Sequence, residues 1–501
     1  MKRATLFMEE KVSYKGGFLW SYTSDFSRQW GEMEAYKTMI WIQPPGTPTM
    51  GNLFLDAYHA TKDEYYYQSA LRTAKALIKA QHPSGGWNYV YDFAGETSIK
   101  KWYNTIGANG WRLEEFQHYY GNATFDDCGT MESATLLLRL YLERKDPAIK
   151  TSLDKAIQFV LKSQYPNGGW PQRYPKTEQF KKQGHRDYTA DITFNDDVAI
   201  KNINFLIQCY HTLGDKSLLD PIHKGMEVFM DMQMPQPQPG WAMQYSQDGK
   251  PAGARSYEPV CLSSATTESN IFQLMNFYRL TGDKKYMTRI PEAIDWLDKL
   301  RLPDSLIVGN KTHPSFIELG TNKPLYIHRR GSNVTNGEYY ADYNSKNTVS
   351  HYGSTRTILT DSLRKTYTHL MSLSPEKVTE GSILKAMDYE FPPYIIERDG
   401  KMSDMNARYL KHMVANTETV KKLIADLNTD GYWPALLTAV SNPYIGPAPK
   451  EVTPGEYNSS RVGDKYDTSP YINKDSKIKG INTGIYIKNM DVLIEYLQKL
   501  N

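Results

Sequence analysis

The chain has 501 residues, room for one large domain or two or three smaller ones. Lys and Arg total 59 against 56 Asp and Glu, a net charge of +3, so no strong field selects nucleic acid or a charged membrane surface. Aromatic residues make up 13%, with 37 Tyr against 16 Phe, which suits either a wet core boundary or the flat faces of sugar rings.

Cys128, Cys209 and Cys261 stand apart with no Cys-x-x-Cys spacing, which excludes a zinc-ribbon site and argues against a disulfide framework. No apolar run reaches the roughly 18 residues that a membrane span needs. The opening MKRATLFMEE starts basic but lacks a long apolar stretch, so it does not read as a signal peptide.

In chain order, one pattern recurs. A Lys-Asp or Gly-Asp pair opens an amphipathic helix, which ends in a Gln-bearing Pro/Gly turn closed by Trp. The copies run from Lys62-Asp63 to Gln81-His82-Pro83-Ser84-Gly85-Gly86-Trp87, and from Lys145-Asp146 to Gln164-Tyr165-Pro166-Asn167-Gly168-Gly169-Trp170. A third runs from Gly214-Asp215 to Gln233 and Gly240-Trp241, and a fourth from Gly282-Asp283 to Leu302-Pro303-Asp304. A second apolar-periodic helix lies next to each copy: Leu53 to Tyr58, Ser133 to Leu142, Ile200 to His211 and Ser269 to Leu280. Helical spacing dominates, strand alternation is scarce, and the period of roughly 70–85 residues marks a repeat architecture.

This predicts an all-α dominated (α/α) toroid or incomplete barrel, with partial fifth and sixth pairs at the ends. Its inner helices and one set of loops form a cleft. After about Ser305 come Pro/Gly/Asn-rich loops with a hairpin at Phe316–Glu318 and Leu325–Ile327, then helices at Thr357–Leu370 and Asn416–Asp426. The tail from Asn442 to Asn482 reads as loop, and Met490–Leu500 as a closing helix. The expected organisation is a toroid over 1–356, with a C-terminal extension over 357–501 packed on the same ring.

The richest stretch is Gln164 to Ala199, where Asn195-Asp196-Asp197 precedes a new apolar run. Such a cluster either caps a helix or holds a hard cation or a sugar. Asp126-Asp127 precedes the second of these helices as Asp196-Asp197 precedes the third, which brings two acidic pairs onto one rim. Trp87, Trp170 and Trp241 each follow a glycine turn, and such an indole either staples its loop or stacks on a sugar. Cys128, beside Asp127, reads as a small buried residue.

The run QYPNGGWPQRYP followed by ITFNDDVA resembles the pectate lyases of polysaccharide lyase family 10, as do TFDDCGTMES, MPQPQPGWAMQYS, ARSYEP and IELGTNKPLY. The resemblance covers about residues 40–353 in collinear order. It implies a toroid that cleaves polygalacturonate by calcium-assisted β-elimination. It puts calcium or substrate contact on Asp196 and Asp197, expected here as metal ligands, and leaves Arg255 in a family-like Arg-Ser-Tyr-Glu-Pro string, expected as catalytic. Asp126, Asp127, Trp170 and Trp241 are the expected substrate contacts. The implied partner is an acidic polysaccharide or oligosaccharide, with no nucleic acid or membrane span. The implied setting is secreted or periplasmic, in pectin degradation, as a monomer.

Two positions depart from the family pattern. Gln244-Tyr245-Ser246 lacks an acid that the family carries after the third Trp, and Asp248 lies two residues on. Pro314-Ser315-Phe316-Ile317-Glu318 carries Ser315 where the family has its catalytic arginine. His351 and Tyr352 are candidate acid/base residues, and Lys311, His313, Arg329 and Arg330 are candidate sources of the missing charge. Two other functions compete: a glycoside hydrolase using two carboxylates among Asp127, Asp197 and Glu258, and a non-catalytic glycan binder. An isoprenoid cyclase is set aside, because the rim is polar.

Overall fold

The structure, a computed structural model, describes residues 1–110, 113–177, 186–330, 338–349, 353–385, 390–395, 406, 413–441, 470–473 and 475–500. Among the described residues six helix pairs follow one another along the chain, each an outer helix and then an inner one. The outer helices are Lys2–Phe7 continued by Met8–Val12, Glu64–Ala80, Pro147–Ser163, Leu219–Asp231, Ile290–Lys299 and Thr417–Asp426. The inner helices are Thr47–Thr61, Gly129–Arg144, Val198–Leu213, Ser264–Thr281, Thr360–Ser372 and Thr483–Leu500. The sixth inner helix lies against the first, the first against the second and the second against the third. This is the (α/α) toroid architecture expected from the repeat. Among the described residues no helix is long and apolar enough to cross a membrane.

The Lys-Asp and Gly-Asp pairs turn each inner helix into the next outer one. Lys62, Lys145, Gly214 and Gly282 adopt left-handed backbone, and their N–H groups donate to Tyr58, Tyr141, Tyr210 and Tyr278. The following Asp63, Asp146, Asp215 and Asp283 accept from backbone N–H groups two residues ahead. A left-handed stop followed directly by an acidic N-cap satisfies the orphan groups of both helix ends within two residues.

The Gln-to-Trp turns join neighbouring pairs. Gln164 Nε2 donates to Gly168 O at 3.0 Å in its own turn and to Pro221 O at 2.9 Å in the next outer helix. Gln81 and Gln233 repeat the bridge, to Ser152 O and Arg289 O. Gly168 has φ +90°, and a Cβ there would lie 2.0 Å from Lys224 O; Gly85 meets Lys155 O in the same way. Gly168→Ala is therefore expected to destabilise the fold by about 1–3 kcal/mol or more, read as a lower urea midpoint.

Two further copies of this turn close the ring. Tyr14-Lys15-Gly16-Gly17-Phe18 follows the first outer helix, with Gly16 (φ +90°) set on Arg72 O of the second. Asn428 to Trp433 follows the sixth, with Gly431 (φ +101°) set on Arg3 O of the first. Short strand links tell the same story on one rim. Met39–Trp41 pairs with Val90–Asp92, Ala123–Thr124 with Arg173–Tyr174, Ile192–Thr193 with Gln244–Tyr245, and Leu262–Ser263 with Phe316–Ile317. Lys479–Asn482 pairs back with Ser21–Thr23. Residues 479–482, expected as loop, are thus a strand of the ring.

Beside it, Phe316–Ile317, Pro324–Arg330 and Glu338–Asp342 form the expected hairpin region with a small core of its own, including Tyr257, Phe316 and Tyr339.

Candidate active site

The rim carries an acidic cluster at the starts of the second and third inner helices. Ahead of the second, Asp127 and Cys128 have φ of 51° and 63°; ahead of the third, Asp196 and Asp197 have 51° and 58°. Two consecutive left-handed residues before a helix are costly for any residue but Gly, least so for Asp and Asn. Asp127 therefore corresponds to Asp196, Cys128 to Asp197, and Asp126 to Asn195. The sequence pairing of Asp126-Asp127 with Asp196-Asp197 was one residue out of step.

The side chains of Asp126, Asp127 and Asp196 converge, with one oxygen of each within 4.8 Å of the others. Asp197, expected as a metal ligand, is not in this trio; it takes the place of Cys128, one residue past it. In each of the three carboxylates a neighbour donates to Oδ2. Arg255 Nη2 (2.8 Å) and the Tyr89 hydroxyl serve Asp126, Gln43 Nε2 (2.7 Å) serves Asp127, and Asn195 Nδ2 (2.6 Å) serves Asp196. Asp126 Oδ1 is buried and receives no hydrogen bond. Three converging carboxylates, one with a buried oxygen that receives no donor, could hold a hard divalent cation.

The electrostatics match. Burial and then the charges of Asp126 and Glu32 push the Asp127 carboxyl well up, and burial with Asp126 and Asp127 does the same to Asp196. Burial also pushes Asp126 up, but the Arg255 guanidinium, Asp196 and the Tyr89 hydroxyl outweigh it and hold it below the usual range. Glu115 is raised by burial, against the pull of Arg255.

Arg255 is itself buried and pairs with Asp126 at 2.8 Å and with Glu115 and Glu258 at 3.3 Å each. Glu258 Oε2 also accepts from Arg255 N at 2.9 Å, which closes the Arg-Ser-Tyr-Glu string into a turn. The Glu114 carboxylate accepts from Ser256 N and from its hydroxyl. One cation thus holds three carboxylates against a trio that shares one of them.

The other expected site residues lie elsewhere. Trp170 and Trp241 are fully buried, and their Nε1 groups donate to Val160 O (2.9 Å) and Phe229 O (2.8 Å) in the last turn of the preceding outer helix. Trp87 and Trp433 do the same with Leu77 O and Leu423 O. These indoles cap carbonyls that the helix end leaves unpaired, and such a buried ring offers no face to a sugar.

Lys311 is exposed, on the turn before His313–Pro314. His313 is buried, with Nε2 3.1 Å from Leu297 O. Arg329 is buried on its strand, over the Tyr339 ring at 5.7 Å, and Tyr339 packs edge-on against Tyr257 at 5.2 Å. Ser315 is buried and donates to Gly353 O at 2.7 Å. Gln244 and Tyr245 are buried in their strand, while Asp248 pairs on the surface with Lys250. His351 and Tyr352, and the Arg330 side chain, lie outside the described residues.

Sequence reading missed Gln43, Tyr89, Glu32 and Glu115. Tyr89 is two residues past Trp87, where the chain crosses the same rim; that offset is the signal that would have found it.

A family model described as pectic acid lyase matches residues 95–344. This segment, which holds the trio and Arg255, is thus similar to the pectic acid lyases, as a divergent sequence. No curated protein matches. Among solved structures, a family 10 polysaccharide lyase from Cellvibrio cellulosa is 16% identical, covering 67% of this chain and 95% of its own, at a TM-score of 0.37. A cellobiose 2-epimerase from Bacillus thermoamylovorans is 12% identical over 98% of this chain and 95% of its own, at 0.41. An alpha-1,6-mannanase from Salegentibacter sp. is 11% identical over 100% and 98%, at 0.36.

Proposed function

We propose that this protein is a polysaccharide lyase that cleaves a uronic-acid polymer by β-elimination at the Asp126–Asp127–Asp196 trio. The observation that carries it is the convergence of that trio, with Asp126 paired to a buried arginine, inside the segment that matches the pectic acid lyase model. Elimination passes a weakly acidic C5 proton to a base, forms a C4–C5 double bond and expels the oxygen at C4, which leaves as a hydroxyl after taking up a proton. Negative charge builds on the neighbouring carboxylate as the proton leaves, so the site must supply positive charge there.

Asp126, Asp127 and Asp196 would hold a divalent cation, calcium being the hard-oxygen choice. When bound, it supplies the charge that neutralises the substrate carboxylate. Gln43, Asn195 and Tyr89 fix the three carboxylates in advance. Arg255, held by Glu115 and Glu258, keeps a second positive charge beside Asp126. A secreted or periplasmic setting, where such polymers are met, belongs to the same reading.

The test is a panel of uronic-acid polysaccharides with calcium or with EDTA, read at 235 nm (a wavelength set by the unsaturated uronide) and for reducing ends. Calcium-dependent absorbance is the expected result. Reducing ends without absorbance would replace the lyase with a hydrolase, and binding without product would leave a glycan binder. Cation binding itself should weaken as pH falls, because protons held on Asp127 and Asp196 compete with the ion. Calorimetric titration with calcium at several pH values checks this, with tighter binding at the higher pH expected.

A further inference from the structure

A second buried arginine lies next to the trio and is handled differently from the first. Arg173 stands opposite Thr124 in a strand link, two residues from Asp126. It is 3% exposed. Its Nη1 donates to the side-chain carbonyls of Asn88 (3.1 Å) and Asn122 (3.2 Å), both neutral. The guanidinium lies over the rings of Tyr120 at 4.5 Å and Tyr89 at 5.1 Å. Among the described residues it forms no ion pair, and its Nη2 is buried with no hydrogen-bond partner.

Folding a guanidinium into a protein without a counter-charge is costly, and such groups are ordinarily paired. Arg255, in the same wall, has three carboxylates. Many carboxylates lie close by, yet none is given to Arg173; Tyr89, which touches both Arg173 and Asp126, separates them. Asp126 feels the Arg173 charge only at a distance, without an ion pair, so the vacant donor describes half of an ion pair whose other half arrives with a ligand. A planar guanidinium offers that ligand a carboxylate slot.

Resting on the lyase reading, we infer that Arg173 is the substrate-carboxylate receptor of this site, taking a uronate carboxylate other than the one at the acidic trio. The polymer is then recognised by charge in two ways: one carboxylate through the cation on the carboxylate trio, another directly by Arg173. It follows that the enzyme discriminates between free and methyl-esterified uronides at two sugars of the bound chain.

The test compares the full-length wild type with Arg173→Met and Arg173→Lys. Binding of a galacturonate trimer and a neutral galactose trimer is measured by calorimetry with saturating calcium, alongside thermal unfolding. Arg173→Met should weaken uronide binding at least tenfold, leave the neutral trimer and calcium binding unchanged, and leave the melting temperature equal or higher. Arg173→Lys should recover part of the uronide affinity. On a cleaved substrate the Met variant should raise KM more than it lowers kcat, and its preference for unesterified over half-esterified polymer should shrink. A drop in melting temperature with equal loss for both trimers would make Arg173 a structural residue and overturn the proposal, as would unchanged uronide binding or no uronide binding by the wild type. If the wild type binds uronides through Arg173 but gives no absorbance at 235 nm, the lyase reading fails and the receptor stands. Absorbance indifferent to Arg173→Met gives the reverse.

Discussion

Asp196→Asn is expected to weaken calcium binding on the order of a hundredfold, since affinity at such oxygen sites follows the count of charged ligands. Lyase turnover at low calcium should fall with it and recover in part at high calcium. The substitution suits the position, because Asn tolerates the left-handed backbone that Asp196 adopts at φ 51°. Without calcium the same change should make the protein more stable at neutral pH.

The sign follows from the crowding. Burial, and then Asp126 and Asp127, raise the Asp196 carboxyl well above its ordinary value. A raised carboxyl contributes stability that is fully present below the ordinary range, about pH 4, and lost as pH rises through the elevated value. The calcium-free wild type should therefore lose stability on going from pH 4 towards neutrality. The Asn variant should show a shallower slope, seen by chemical unfolding in EDTA at a series of pH values. Opposite effects with and without calcium mark a cation site; a loss in both would mean that Asp196 serves only the helix start.

Much of the ring was legible because its signals are local. Lys62-Asp63 and Gly214-Asp215 each carry a left-handed stop and an N-cap in two residues, and Gly168-Gly169-Trp170 shows its turn in composition alone. The first and sixth turns escaped notice because their marker residues differ. Phe18 stands where the others have Trp, and Leu427 where pairs two to four have Gln. Their shared feature is a glycine two residues before the ring, pressed on the next helix's backbone, and that contact is tertiary.

In the site, the acidic runs were visible, but which oxygens converge depends on φ at four residues and is not written in the order Asn-Asp-Asp. Trp170 and Trp241 misled for a physical reason. An aromatic ring after Gly-Gly has the same sequence whether its N–H caps a buried carbonyl or its face meets a sugar. Arg173 sat in the Gln-Arg-Tyr-Pro string, and only its want of a paired carboxylate sets it apart.

The largest loss is expected at Arg255. Replacing it with Ala should cost about 10²–10³ in kcat, the scale of removing one preorganised donor from a site where negative charge develops. It should also cost about 3–5 kcal/mol of stability, because Asp126, Glu115 and Glu258 lose their shared cation while remaining buried. Those two effects must be separated. Arg255→Lys keeps the charge but not the fork that reaches three carboxylates at once, so it should fold better than the Ala variant and still lose most activity. Free guanidinium added to Arg255→Ala, at concentrations below those that unfold it, should restore part of the turnover at 235 nm by filling the vacated volume. Rescue of activity with kcat rising more than stability places the guanidinium's charge in the reaction. Rescue of the melting temperature alone would reduce Arg255 to the clamp of its own loop, and the developing charge would then fall to the cation held by the trio.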